Sequence, residues 1–408
     1  ASSVPTTTAT SATFDVTTTV VGPSPAAAPT GFIPQIAPPV IKTAAVPSGS
    51  VAMGNEFQVN TTAPYDQIYP STAALPDGGF VVTWTHYEQF GDDAIYGQRF
   101  AANGSPHGGE FQVNTTGAPE LAMPAISSLA DGSFVVTWQA LAQDGDGYGI
   151  YGQLFDSNGI SQGSEFSINT QTAFDQEYPS VTSLANGGFM VAWQSPNQDG
   201  SGRDIFGQRF SSSGNSEGSE IQINTFMSAN QMRPSVTSFA NGDFLVTWQS
   251  ENQDGNGFGI FGQRLNSDGN TIGGEFQVNT HTNNTQAYPS VSALSDGGFV
   301  VTWSSYQPDG ADFGIYGQRY SADGAALGNE FRVNTFTSGD QVFPAVTPSI
   351  DGGFVVTWYS ADQDGDGNGV FARRYASDGT SASDEFKINT STSSNQEYPS
   401  IISLADGG

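Results

Sequence analysis

The pattern of apolar and polar positions along this chain repeats with a long period. Each unit holds a short run that is apolar or β-branched on both alternate faces. In the first, Phe80, Val82 and Trp84 fall on one side, and Val81 and Thr83 on the other. Such a run predicts a strand buried on both faces, as in a small sheet packed between two neighbours. The run that opens each unit alternates differently. Phe111, Val113 and Thr115 share one face, and Glu110, Gln112 and Asn114 the other. That is the signature of a strand with one face in water, which suits an outer position. The first unit has four strand-like runs: Glu56 to Thr61, Tyr69 to Leu75, Phe80 to Trp84 and Ile95 to Phe100. Asp77-Gly78-Gly79 is a tight-turn signal between the second and third. No amphipathic helical stretch of useful length appears.

The period is readable from the tryptophans. Trp84, Trp138, Trp193, Trp248, Trp303 and Trp358 lie 54 residues apart once and 55 thereafter. The opening Glu keeps the same lattice at Glu56, Glu110, Glu165, Glu220, Glu275, Glu330 and Glu385. Six full units span residues 56–384, and a partial seventh spans 385–408. Four short antiparallel strands per unit match a propeller blade. The fold class expected is therefore all-β, a β-propeller of four-stranded blades, seven-bladed with the seventh blade incomplete. An open β-array of another kind is the alternative. Residues 51–408 form the repeat domain. Residues 1–50 are rich in Thr, Ala, Pro and Ser and lack the repeat, which predicts an N-terminal arm or linker. Within it, Ser11 to Val21 has strand character and suits docking on a neighbouring subunit by strand addition.

Charge narrows the partners. Forty acidic residues face eleven basic ones, two of them lysines (Lys42 and Lys387), and the net charge is −29. That argues against nucleic-acid phosphates and anionic membranes. No cysteine is present, so neither disulfides nor thiolate-bound metal contributes. No apolar stretch approaches the roughly 18 residues of a spanning helix, so no membrane insertion is expected.

Catalytic signals are sparse. His86, His107 and His281 fall at unrelated repeat positions, and there is no G-x-S-x-G nucleophile motif. The units read as near copies, whereas an enzyme needs several different groups converging on one substrate. The recurring Glu and Asn, such as Glu110 and Asn114, suit a structural role, with the preceding Arg (Arg99, Arg209, Arg264, Arg319) as a partner for the Glu. The tryptophans suit core packing more than sugar stacking. The candidate ligand site is the acidic loop before the fourth strand. It offers Asp144 and Asp146 in the second unit, Asp254 and Asn256 in the fourth, and Asp362, Asp364 and Asp366 in the sixth. Alternating carboxylates with Gly between them can wrap oxygens around Ca²⁺. An Asp-Gly turn joining two strands is the plainer reading.

The elements D-G-G-F-V-V-T-W, Q-D-G-x-G-x-G-I-Y-G-Q-R and E-F-Q-V-N-T resemble tandem repeats of large secreted bacterial proteins, those accompanying hemolysin-type (RTX) calcium-binding and adhesin proteins. The resemblance covers residues 56–408. It implies an extracellular or cell-surface location and calcium-linked secretion, although the G-G-x-G-x-D nonapeptides of the calcium β-roll are absent. D-G-G-F-V-V-T-W is also similar to the Asp-box of sialidase-like propellers, with a spacing that departs from it. The function expected is a non-catalytic structural or adhesive module of a surface or filamentous assembly. Its partners would be other protein subunits or surface glycans, with self-assembly through the N-terminal arm or the incomplete seventh blade. A glycan-binding, lectin-like propeller is the alternative, and a glycosidase or lyase the third reading.

Overall fold

The computed structural model describes residues 18–19, 56–61, 66–87, 93–196, 202–306 and 312–404. Apart from Thr18–Thr19, the N-terminal arm read from the sequence lies outside these residues. Six four-stranded antiparallel sheets follow one another along the chain and form the blades of a propeller ring. Blade 1 comprises Gln67–Ala74, Phe80–His86, Ala94–Phe100 and Phe111–Gln112. Blade 6 comprises Gln341–Pro348, Phe354–Ala361, Asn368–Tyr375 and Phe386–Lys387. Blades 2 to 5 begin at Leu121, Glu177, Gln231 and Gln286. In every blade the first strand lines the central axis and the fourth is outermost.

Two expectations are corrected. The described residues form six complete blades, not seven; the seventh unit contributes the outer strand Phe386–Lys387 to blade 6 and the short inner strand Ser400–Ile401, which pairs in parallel with Thr18–Thr19. Blade and sequence unit are also out of frame by one strand. The opening run of each unit is the outer strand of the preceding blade, so Phe111 pairs with Gly97 and Ile221 with Gly207. The outer position inferred from its one-sided alternation is correct.

The doubly apolar run is the second strand of each blade and forms the inter-blade cores. All six tryptophans are at most 1% exposed. Trp303, Phe299 and Val301 of blade 5 pack on Leu245, Ile260 and Val278 of blade 4, and the same pattern recurs between the other blades. Stacked cross-strand aromatic pairs complete the layer in five of the six blades, as with Phe354 and Tyr375 at 4.7 Å, and in blade 4 Leu265 faces Phe244. The Asp-Gly-Gly turn closes because Gly78 takes φ 86°, where a side chain would be strained, and Asp77 Oδ1 accepts from Gly79 N at 3.0 Å.

The recurring polar residues tie blades together. Asn224 Oδ1 accepts from Ile205 N at 2.8 Å, and its Nδ2 donates to Gln231 Oε1 of the next blade at 3.2 Å. Glu220 accepts from Thr170 N and Thr170 Oγ1, both at 2.9 Å, across the boundary between blades 2 and 3. The structural reading of Glu and Asn thus holds, but the expected Arg partner is corrected. Arg99 pairs with Asp77, and Arg319 with Asp296 at 3.3 Å, each Asp in the Asp-Gly-Gly turn that joins the first two strands of the same blade. That carboxylate sits one strand away, nearer than the recurring Glu.

Candidate functional site at the propeller axis

The second run of each unit, the inner strand at the axis, carries an X-Pro pair. X is Tyr69, Met123, Tyr178, Arg233, Tyr288, Phe343 and Tyr398 in turn. All seven have φ between 54° and 57°, the left-handed region that non-glycine residues rarely occupy. In the six complete blades the register of first and second strands slips at this pair, between Met232 and Ser235 for example. Each bulge re-aims one side chain toward the axis, a use of bulges common beside functional sites. The neighbouring blade holds the strained backbone. Gln139 accepts from Tyr178 N at 3.0 Å, Gln194 from Arg233 N at 3.0 Å, and Gln249 from Tyr288 N at 3.1 Å. Each of these glutamines follows a core tryptophan, so the packed strand positions the axial residue of the next blade.

The seven side chains and their prolines line a cavity of about 330 Å³. Tyr288 stacks on Phe343 at 4.0 Å, Phe343 meets Tyr398 edge-on at 5.1 Å, and Tyr398 meets Tyr69 at 4.9 Å. Burial holds the Tyr398 phenol up at about 12 and also raises that of Tyr69, so both stay protonated donors at neutral pH. Arg233, like Met123, departs from the aromatic series, and it alone is charged. Its guanidinium lies 4.4 Å from the Tyr178 ring centre and 4.8 Å from that of Tyr288, and Nη2 reaches the Tyr178 hydroxyl at 3.4 Å. No ion pair of Arg233 occurs among the described residues.

Carboxylates surround this mouth unevenly. Glu177 and Glu397 precede the axial residue in two units only, where the others have Ile68, Ala122, Met232, Ala287 and Val342. Glu177 pairs with Arg203 at 3.1 Å and accepts from Gln194 at 3.0 Å. Glu397 accepts from Asn368 at 2.6 Å. Tyr148 lies within the electrostatic reach of both Glu120 and Glu177. Its phenol is raised first by burial, then by its hydrogen bond to Glu120, and it also feels the charge of Glu177. The near-equivalence of units expected from the sequence therefore fails at the axis. The cavity is lined by a guanidinium, phenols, Phe343, Met123 and prolines, while Glu177 and Glu397 stand one residue before two of its tyrosines.

The acidic loops lie elsewhere, before the third strand of their blades. Asp254 Oδ2 accepts from Asn279 at 3.2 Å, and Asp364 Oδ2 from Asn389 at 2.8 Å. Asp146 accepts from Phe174 N at 3.1 Å and Asp366 from Ser394 N at 3.4 Å. Asp144 accepts weakly from Asp146 N, Asn256 N donates to Asp254 Oδ1 at 3.4 Å, and Asp362 N closes the loop onto Gly367 O at 2.6 Å. Among the described residues no three acids or histidines gather as metal ligands. Buried oxygens without a hydrogen-bond partner do occur in these loops: Oε1 of Gln143, Gln253 and Gln363, Oδ2 of Asp144 and Oδ1 of Asp364. His86 is buried on the edge of Tyr96 at 5.7 Å, away from any catalytic grouping.

No family model and no curated protein matches the chain. Its fold is similar to those of solved structures. A protein of unknown function from Dyadobacter fermentans shares 12% identity over 72% of this chain and 90% of its own, with a TM-score of 0.51. The GH93 alpha-L-arabinofuranosidase of Fusarium graminearum, in complex with arabinobiose, shares 12% over 72% and 88%, TM-score 0.50. A Hadza microbial sialidase shares 11% over 76% and 69%, TM-score 0.50. At such identities the likeness establishes the propeller fold. The expectation of a non-catalytic structural or adhesive module is corrected on two grounds. Glycoside hydrolases stand among the neighbours of the fold, and the near-identity of units that argued against an active site breaks down at the axis.

Proposed function

We propose that the chain is a carbohydrate-active propeller of glycoside-hydrolase type, with the axial mouth as its sugar site. The observation that carries this reading is Arg233, a cation held among aromatic faces at a position where five of the other six units place an aromatic ring. Tyrosine and phenylalanine faces stack on the apolar faces of sugar rings, while guanidinium and phenol donors bind hydroxyl or carboxylate oxygens. Glu177, which directly precedes the axial Tyr178, is assigned the role of general acid or base, with Glu120 as its counterpart. The activities of two fold neighbours, an arabinofuranosidase and a sialidase, support the substrate class. Polysaccharide substrates of this kind lie outside cells, which agrees with the extracellular location implied by the repeat resemblance. The test is release of sugar from a panel of arabinans, sialosides and other glycosides. Glu177→Gln should lower turnover about 100-fold or more, the usual scale for a general acid or base. Wild-type protein that neither cleaves nor binds any member of the panel would refute the proposal.

A second reading concerns the loops. We propose that those of units two and six take Ca²⁺, supported by the buried, unpartnered oxygens of Gln143 and Asp144 and of Gln363 and Asp364. The melting temperature should rise with Ca²⁺ and fall with chelator. Asp144→Asn combined with Asp364→Asn should abolish that response. Identical melting with metal and with chelator would exclude the loops as sites.

A further inference from the structure

Cations are scarce in this chain, and most of its arginines are already matched to an acid. Forty acidic side chains face eleven basic ones. Among the described residues, Arg99, Arg203, Arg209, Arg264, Arg319 and Arg374 each reach an Asp or Glu carboxylate within 4.0 Å. Arg373 instead spends its donors on Val333 O and Ser381 Oγ, both at 2.9 Å. Arg233 differs from all of these. It has no ion pair among the described residues, and its guanidinium makes one hydrogen bond there, the 3.4 Å contact to the Tyr178 hydroxyl.

What surrounds Arg233 answers its charge but not its donors. Ring faces attract a cation through their quadrupole and accept few of its in-plane N–H groups. A guanidinium carries five such donors in a fixed fork that matches a carboxylate through two parallel bonds. The carboxylates of the mouth are engaged elsewhere: Glu177 with Arg203 at 3.1 Å, and Glu397 with Asn368 at 2.6 Å. A half-buried cation is costly to hold until a counter-charge meets it. The net charge of −29 does not keep an anion out of the mouth, because physiological salt screens exposed carboxylates beyond about 8 Å. The far side of the cavity has a different chemistry. Tyr398 and Tyr69 stand opposite Arg233 in the ring of axial residues, and both phenols feel its charge. Aromatic and proline side chains form the wall between the two sides. The volume of about 330 Å³ is at the small end of ligand pockets, roughly 300–1,000 Å³. It suits a single six-membered sugar ring better than a nine-carbon acid.

We propose that the axial site selects a hexuronic acid residue, with its carboxylate on the in-plane fork of Arg233 and its hydroxyls toward the phenols of Tyr69 and Tyr398. The ring lies between, its apolar face against the aromatic wall. Arg233 is then the residue that determines specificity, distinguishing an acidic sugar from its neutral counterpart. This inference rests on the reading of the mouth as a sugar site, and adds the charge of the sugar and the side chain that reads it.

The test compares methyl glycosides in pairs that differ only in a carboxylate or a hydroxymethyl group: glucuronide against glucoside, and galacturonide against galactoside. Isothermal titration of the full chain should show one uronide binding about 10- to 100-fold more tightly than its neutral partner, the scale of hydrogen bonds to a charged group. Methyl esterification of that uronide should remove the advantage, and added salt should erode it. Arg233→Gln should bring acid and neutral sugar to equal affinity. A purely structural role for Arg233 would weaken both alike, so the ratio is the readout. The wild-type ratio and its salt dependence decide the matter even where Arg233→Gln does not fold. Equal or tighter binding of the neutral sugars overturns the proposal and leaves the sugar site standing. Tighter binding of sialyllactose than of either uronide overturns it in favour of a larger acid. Absence of binding by every sugar removes this inference together with the sugar-site reading.

Discussion

Arg233 of blade 4 lies over the rings of Tyr178 and Tyr288, its counterparts in blades 3 and 5, at 4.4 and 4.8 Å from their centres. A third ring, Phe343, is 5.9 Å away. One cation of blade 4 therefore reaches rings of blades 3, 5 and 6 at the mouth of the axial cavity. Its backbone N–H is held by Gln194, and its φ of 55° turns the side chain inward. The arrangement orients a guanidinium without neutralising it, since aromatic faces attract the cation through their quadrupole and leave its N–H donors available.

Replacing Arg233 separates recognition from stability. Cation–π contacts of this half-buried kind contribute about 0.5–2 kcal/mol. Arg233→Ala should therefore shift the unfolding midpoint only slightly, while lowering affinity for a sugar ligand at least about tenfold by loss of its charge-assisted bonds. Arg233→Lys should recover less than half of that free energy, because an ammonium cannot present the planar fork. Isothermal titration with a cleaved or bound member of the glycoside panel checks both.

The asparagine links give a sharper stability test. Asn224 serves Ile205 N, Gln231 and the carbonyl of Phe226 at 2.9 Å from a site 3% exposed. Asn224→Ala leaves several buried groups unpaired, each costing about 1–3 kcal/mol. Urea unfolding should show a loss of that order. Asn256→Ala, on an exposed loop position, should stay within about 0.5 kcal/mol of wild type.

Much of the fold was legible because its cause is local. The Trp lattice reports a strand buried on both faces, and the Asp-Gly-Gly turns report φ above zero; both survive as the inter-blade cores and first hairpins. The blade frame was not legible. The outer strand follows its hairpin only after a turn, and the bonds that assign it, such as Ile205 N to Asn224, join residues 19 apart. The axial site was hidden by a conformational rule. Tyr before Pro reads as extended chain, because proline disfavours the helical region for the residue before it. The left-handed bulge that turns Tyr178 and Arg233 inward is imposed by the neighbouring blade's glutamine. A trace of it existed in the sequence: Arg233 alone is basic among seven aligned X-Pro positions.

The core tryptophans set the size of the largest effects. Trp303 is fully buried between blades 4 and 5. Trp303→Ala should cost about 3–5 kcal/mol, because the two faces it joins cannot collapse onto each other. Trp303→Phe should cost less. Near-ultraviolet circular dichroism followed through urea unfolding measures both.

Alkali provides an independent check on the same interfaces. Burial lifts the phenol of Tyr375 to about 12, with Arg373 opposing the shift, and also raises that of Tyr320. A group whose folded value lies above its unfolded one contributes stability that is complete below the unfolded value, about 10 for tyrosine. Above that pH the unfolded chain releases protons that the folded chain retains. Stability is then lost progressively as the pH climbs from about 10 through the folded values. Tyr375 lies against Phe354 and Phe331 with its hydroxyl 3.5 Å from Val333 O, so its ionisation would place a charge in the core between blades 5 and 6. Tyr375→Phe should therefore cost little at neutral pH and make the melting temperature fall less steeply between pH 10 and 12. Parallel pH profiles for the variant and wild type would show that the alkaline transition starts elsewhere.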